Sequence, residues 1–191
     1  MRKLVYLFPL LCCLAFTTCQ QSSANNMDDL ETKQGFDEAA ELAAIMKVIE
    51  NETACFFARD YNCWKENWVN EDYAFQAWSN ADGTYDAKVG WSEVDRQTGN
   101  YIKENPESNF GSIQSFQTER LNMRTKFYGN QVAHLVWEQY NGNAEQDAYQ
   151  ISQEVRLMEK VNGKWKIVTV AAFWDYKNKI AAETVDAMRE S

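Results

Sequence analysis

Glu52 is the residue whose type and setting point most directly to chemistry. It follows Ile45, Met46, Val48 and Ile49 in an apolar stretch and stands four residues before Phe56. A carboxyl group in apolar surroundings resists ionisation, so it can carry a proton for transfer or receive a basic group. The plainer reading is a glutamate on a helix flank, solvated or paired with a lysine; Glu50 is the more exposed neighbour. Gln153 alternates with Ile151, Val155 and Leu157. That puts one amide on an otherwise apolar strand face, where it bonds either a ligand or backbone and buried water. Trp64, Trp68, Trp78, Trp91 and Trp174 can line an aromatic ligand pocket or fill a core. His134 is the single histidine, which argues against a His-based metal centre and against a Ser-His-Asp triad. Its alternation with Ala133 and Leu135 puts it on an outer strand face, suited to an interface or a surface. No metal and no cofactor are expected.

These residues need elements to hold them. Leu42, Ile45, Met46, Ile49, Thr53, Phe56 and Phe57 recur at three- and four-residue spacings, which predicts one amphipathic helix over 36–59 with Asp37 as its N-cap. Asp60-Tyr61-Asn62 reads as a corner. Cys63 to Val69 is then a short helix with Trp64 and Trp68 on one face. Tyr73 to Trp78 reads as a first strand, ended by the turn residues Asn80-Ala81-Asp82-Gly83. Asp72, Asp82 and Asp86 fall in stretches that read as loops. A third helix is expected from Trp91 to about Lys103, stopped by Asn105-Pro106.

The C-terminal half predicts four long strands, roughly Phe116–Tyr128, Gln131–Tyr140, Ala148–Val161 and Lys164–Asp175. Gly129-Asn130 and Asn162-Gly163 are two-residue turn signals, and a polar loop over 141–147 makes the middle join. Three hairpins in series give an antiparallel meander. The last strand is apolar on both faces, so both faces of the sheet need covering: the helices on one side and a second protomer on the other.

The chain has 191 residues, of which 45% are hydrophobic and 14% aromatic. That suits one globular domain with extra length rather than a disordered chain. The net charge of −9 argues against a phosphate-binding surface, so nucleic acid is not an expected partner. The extra length lies at the start. Met1-Arg2-Lys3 followed by the uncharged apolar run Leu4 to Phe16 has the layout of a secretory signal, too short for a transmembrane helix. Residues 20–34 are polar, without apolar period, and read as a tether.

Five cysteines are present, and two fall within the signal. Cys55 and Cys63 stand eight apart, about 12 Å of rise on one continuous helix and too far to bond. A helix break near Arg59-Asp60 brings them within reach across the corner. They are then either a disulfide or a free pair, in a compartment that can be oxidising.

Phe16-Thr17-Thr18-Cys19-Gln20 resembles the cleavage box of bacterial lipoproteins, with Phe16 and Thr18 departing from its usual residues. The resemblance implies a mature protein that starts at Cys19 and is lipid-anchored there in the cell envelope; ordinary cleavage and secretion is the alternative. Without Arg2 and Lys3 the balance is 17 basic against 28 acidic residues, or −11. Such a surface is repelled by anionic headgroups, so a membrane would be reached only through acyl chains.

The order of elements, with Ile45 to Glu52 followed by Phe56-Phe57-Ala58-Arg59-Asp60, Gly90-Trp91-Ser92-Glu93-Val94, and Glu154 to Val168, resembles the SnoaL-like branch of the nuclear transport factor 2-like superfamily. The resemblance covers about 36–176. It implies an α+β cone, in which N-terminal helices pack on a strongly bent antiparallel sheet, an apolar pocket, and a homodimer formed through the sheet. The organisation expected is a signal peptide over 1–18, a polar tether over 19–35, the domain over 36–176 and a tail over 177–191. The expected pocket residues are Glu52, Phe56, Trp64, Trp68, Phe75, Trp91, Gln153 and Val155. The isomerase members use a carboxylate base with a tyrosine and a protonated aspartate. Setting Arg59-Asp60 against their helix corner puts Glu52 at the tyrosine, Ala77 or Trp78 at the base and Val155 at the aspartate, and none of these matches. The expected function is therefore binding of a small, largely apolar ligand. The alternatives are a cofactor-independent isomerase, cyclase or hydratase with Glu52 as proton carrier, and an envelope interaction module with a filled cone.

Overall fold

The computed structural model describes residues 35–106, 116–143 and 147–190. The signal, most of the tether and Cys19 lie outside the described residues. Helix α1 (Glu38–Phe57) starts where Asp37 accepts the backbone N–H groups of Ala39 and Ala40, satisfying two donors the first turn would otherwise leave orphaned. It ends at Phe57, and Arg59 just beyond the cap residue Ala58 turns the chain with φ 58°. Asp60 then caps α2 (Tyr61–Glu66) by accepting from the Cys63 N–H at 3.0 Å. The second helix is thus earlier and shorter than the tryptophan spacing implied, because the cap sits at Asp60.

Strands β1 (Phe75–Ser79) and β2 (Tyr85–Val89) form a hairpin. Asp86, expected in a loop, stands in β2. Helices α3 (Trp91–Val94) and α4 (Asn100–Glu104) are joined by a single π-helical segment, Asp95–Gly99. The meander follows as β3 (Phe116–Tyr128), β4 (Val132–Asn143), β5 (Ala148–Val161) and β6 (Lys164–Ala181). Asn162 and Gly163 both have positive φ, as a two-residue hairpin turn requires. Strand order is β2-β1-β6-β5-β4-β3, with β1 parallel to β6 and the other pairs antiparallel. The hairpin β1-β2 therefore extends the meander beyond its last strand. Bulges in the β3-β4 and β5-β6 ladders bend the sheet around α1.

The core lies between the helices and the concave face. Ile45, Ile49, Trp64, Leu135, Met158 and Ile167 are at most 1% exposed there. The expected apolar doubling of β6 is met partly from within the chain. Val168 packs against Val69 and Ala74 of the α2–β1 connection. Residues 177–190, expected as a tail, continue β6 and then form helix α5 (Ala182–Glu190). Val185 of α5 buries against Tyr140 and Tyr149.

The π segment rests on one glycine. A Cβ on Gly99 would lie 2.4 Å from Asp95 Oδ1 and 2.9 Å from the Tyr61 ring, where Tyr61 donates to Asp95 at 2.7 Å. Gly99→Ala is expected to lower stability by about 1–3 kcal/mol, measurable as a fall in the thermal midpoint, because both neighbours must give way.

Candidate ligand-binding site

The last turns of α1, the π segment and the concave faces of β1, β4, β5 and β6 enclose an open cavity of about 720 Å³. Phe56, Phe57, Trp78, Tyr101, Trp174 and Tyr176 give it aromatic walls, and Glu52, Gln76, Glu154 and Arg156 give it polar groups.

Glu52 reaches the cavity because α1 places it one turn beyond Ile49, on the side facing the sheet. Its Oε1 accepts from Trp64 Nε1 at 2.8 Å and Trp68 Nε1 at 3.4 Å. Its Oε2 has no hydrogen-bond partner among the described residues. Burial raises its pKa above the ordinary carboxylate range, against the opposing pull of the Arg156 charge and the two indole N–H groups. It is half-buried at the wall of the open cavity and is not paired with a lysine.

Facing it, β4 and β5 carry a continuous polar chain. Trp137 Nε1 donates to Gln139 at 3.2 Å, Gln139 to Asn141 at 3.0 Å and Asn141 to Ser152 at 3.3 Å. Ser152 then donates to Glu154 at 2.6 Å, and Arg156 Nη1 donates to the other Glu154 oxygen at 2.7 Å. The Arg156 guanidinium lies 5.0 Å from the Trp137 ring centroid. Glu154 and Arg156 are 2% and 8% exposed, so this ion pair is screened little by solvent. On the opposite wall, Thr98 Oγ1 of the π segment donates to Gln76 Oε1 at 2.6 Å.

Two of the expected pocket residues, Glu52 and Phe56, line the cavity. Trp64, Trp68 and Trp91 do not. Their rings pack together at centroid distances of 5.6 to 6.4 Å, and Trp64 and Trp68 belong to the buried core beside Glu52. They shape the cavity by holding its carboxyl group instead of by touching a ligand. Trp78 and Trp174 line it.

Gln153, Val155 and Phe75 lie on the other sheet face. Gln153 is exposed and pairs across the sheet with Glu138 and Phe173, while Phe75 pairs with Thr169. The inward set on β5 is Ser152, Glu154, Arg156 and Met158. The period-2 pattern was legible and its parity was inverted. The outer face is apolar here and the inner face polar, so the rule that apolar residues point inward selects the wrong set.

Glu154, Arg156, Gln76 and Thr98 are the residues that reading missed. The spacing Glu154-Val155-Arg156, opposite charges two apart in a strand, was the available signal, since such residues share a face. Cys55 and Cys63 are joined in a disulfide with their Cα atoms 5.6 Å apart. The bond ties the end of α1, which carries Glu52, to the helix that carries Trp64. Replacing Cys55 by alanine is expected to cost about 2–3 kcal/mol in chemical denaturation, on the loop-entropy account of a short closed loop.

No family model matches the chain, and no curated protein matches it. Solved structures do. An NTF-2 like protein of unknown function from Shewanella oneidensis MR-1 matches with a TM-score of 0.51 at 13% identity, over 70% of this chain and 98% of that one. A cystatin-like fold protein from Burkholderia xenovorans LB400 matches with a TM-score of 0.53 at 9% identity, over 74% and 96%. The association domain of CaMKII from C. elegans matches with a TM-score of 0.50 at 16% identity, over 71% and 96%. At these identities the likeness establishes the fold, an α+β cone of the NTF2-like type, and leaves activity to be argued from the site.

Proposed function

We propose that this NTF2-like chain is an exported small-molecule-binding protein, anchored in the cell envelope through lipid on Cys19, with the cone as its binding site. The observation that carries the binding reading is the open cavity of about 720 Å³, within the range of small-molecule sites. Its aromatic walls suit a ligand with an apolar body, and its polar groups suit a ligand with one polar end. The export reading rests on the N-terminal sequence alone. No helix among the described residues is long and apolar enough to cross a membrane.

A thermal-shift screen of the purified mature chain against metabolites and lipids tests the binding reading, with Glu52→Gln in parallel. A compound that raises the midpoint of the wild type and not of the variant supports a site containing Glu52. A compound that stabilises both equally supports a passive apolar binder. No stabilising compound argues against a ligand site and turns attention to protein partners.

One observation favours a second reading. Glu52 Oε2 is unbonded among the described residues and shares the cavity with Gln76, Glu154 and Arg156, so several polar groups sit around one space. A cofactor-independent isomerase, cyclase or hydratase would use Glu52 as the proton carrier. Turnover of a stabilising carbonyl compound by wild type, abolished in Glu52→Gln, would select it. A filled-cone interaction module has less support, because the tryptophans beside Glu52 leave the cavity open.

The outer sheet face supports a homodimer. Val136, Val155 and Leu157 are half-buried on it and Phe173 is 59% exposed, and one protein of this fold is called an association domain. Sedimentation equilibrium of wild type and Phe173→Glu tests that assembly.

A further inference from the structure

The sheet ends in two edges, β2 and β3, that differ in how they would meet a second strand. Strand β3 is interrupted by a bulge between Leu121 and Arg124, where Asn122 has φ 55°. Beyond the bulge it carries Arg124 and Lys126 with no acidic residue. Bulges and like charges keep an edge from pairing with a copy of itself. Strand β2 has neither device. Its five residues run in regular register against β1, and Tyr85, Ala87 and Val89 are exposed.

The backbone of β2 is half used. Gly90 N–H donates to Ala74 O at 2.7 Å and Asn80 N–H donates to Thr84 O at 2.8 Å. Bonded pairs alternate along an antiparallel ladder, so the even-numbered residues of β2 bond to β1. The N–H and C=O groups of Tyr85, Ala87 and Val89 point away from β1, and no other strand meets them among the described residues.

The side chains make this edge complementary to itself. Asp86 and Lys88 stand opposite Trp78 and Gln76, on the concave side. They form a 3.1 Å salt bridge and are both still partly exposed. Tyr85 and Val89 stand on the convex side, 78% and 66% exposed. A second copy laid antiparallel, with Ala87 opposite Ala87, sets Tyr85 against Val89 and Asp86 against Lys88, each twice. Odd residues then meet odd residues, so the free backbone groups find one another. Asp86 and Lys88 fall at the non-hydrogen-bonded positions, where side chains approach most closely. Tyr85 with Val89 is an aromatic and β-branched cross-strand pair. Moving the centre by one residue sets Asp86 against Asp86 or Lys88 against Lys88, and like charges directly opposite are destabilising.

We infer that β2 is a self-association edge: two copies of this chain join through antiparallel β2 strands about a two-fold axis at Ala87, and their sheets become one. The contact is isologous and closes on itself, so it forms pairs and not filaments. It is separate from the outer-face homodimer proposed above and goes beyond the ligand-binding reading. A five-residue edge buries less than a standard interface, so the association is weak, with a Kd of about 10 μM to 1 mM.

The test exchanges charges across the edge. The purified full chain carrying Phe173→Glu, which opposes the outer-face contact, is the parent, and its self-association is followed by sedimentation equilibrium over a range of concentrations. Asp86→Lys alone and Lys88→Asp alone each put like charges opposite, and each is expected to weaken association about ten-fold or more. Mixed one to one, the two variants meet with opposite charges at both positions, and association is expected to return to within about three-fold of the parent. The double variant Asp86→Lys with Lys88→Asp is expected to associate as the parent does. A parent that stays monomeric to about 1 mM overturns the inference. So do single variants that associate as the parent does, or a mixture of folded variants that stays monomeric. The parent and the double variant keep the test decisive even if a single variant fails to fold.

Discussion

Arg156→Ala is expected to destabilise the protein by about 3–5 kcal/mol in urea unfolding, the typical cost of stranding one half of a buried ion pair. The substitution removes the Nη1 that donates to Glu154 Oε2 at 2.7 Å, and Glu154 is only 2% exposed. The carboxylate then keeps one neutral donor, Ser152 Oγ at 2.6 Å, and no water shell to replace the guanidinium. It also removes the cation from the face of the Trp137 ring. The double variant Glu154→Gln with Arg156→Met should recover much of the loss, because it removes both charges and keeps an amide oxygen for Ser152. Double variant and single variant unfolding at the same urea concentration would show that the pair is not buried as described.

Glu52 produces the second large effect, and its sign depends on the replacement. Glu52→Leu leaves Trp64 Nε1 without its 2.8 Å acceptor and Trp68 Nε1 without its longer one. Orphaning buried indole donors is expected to cost about 2–4 kcal/mol. Glu52→Gln keeps an acceptor oxygen and removes the charge. Because burial raises the folded-state pKa of Glu52, the folded protein holds its proton more tightly than the unfolded chain does. That contribution is fully present below the ordinary glutamate range and is lost as pH rises through the raised value. Glu52→Gln is therefore expected to be more stable than wild type at alkaline pH and to lack this part of the decline. Denaturant midpoints taken at several pH values for all three proteins check both signs. A Glu52→Gln profile parallel to that of wild type would mean that folding does not raise the Glu52 pKa.

The two effects show why function here is a matter of which side a residue faces. A binding cavity of mixed polarity exists only because Glu154 and Arg156 turn inward and Val155 turns out. Charged groups placed inward in this way cost stability unless each is paired, and the polar chain from Trp137 to Arg156 supplies that pairing. The disulfide and the cap at Asp60 hold the helix that carries Trp64, so that Oε1 of Glu52 meets two indoles while Oε2 is left to the cavity.

Local physics determined the elements from sequence alone. The apolar period of α1, the Asp37 cap, the Asn162-Gly163 turn and the four long strands were readable because each depends on neighbours a few residues away. The corner that lets Cys55 approach Cys63 was readable for the same reason. The parallel pairing of β1 with β6, the packing of α5 on the sheet and the inward set on β5 depend on contacts between residues far apart in the chain. Period 2 states which residues share a face and is silent about which face meets the helices. Only the tertiary structure decided that, because the choice is made by what packs across the sheet: α1 and the tryptophans on one side, and on the other an outer face where Val136, Val155 and Leu157 stand among polar residues.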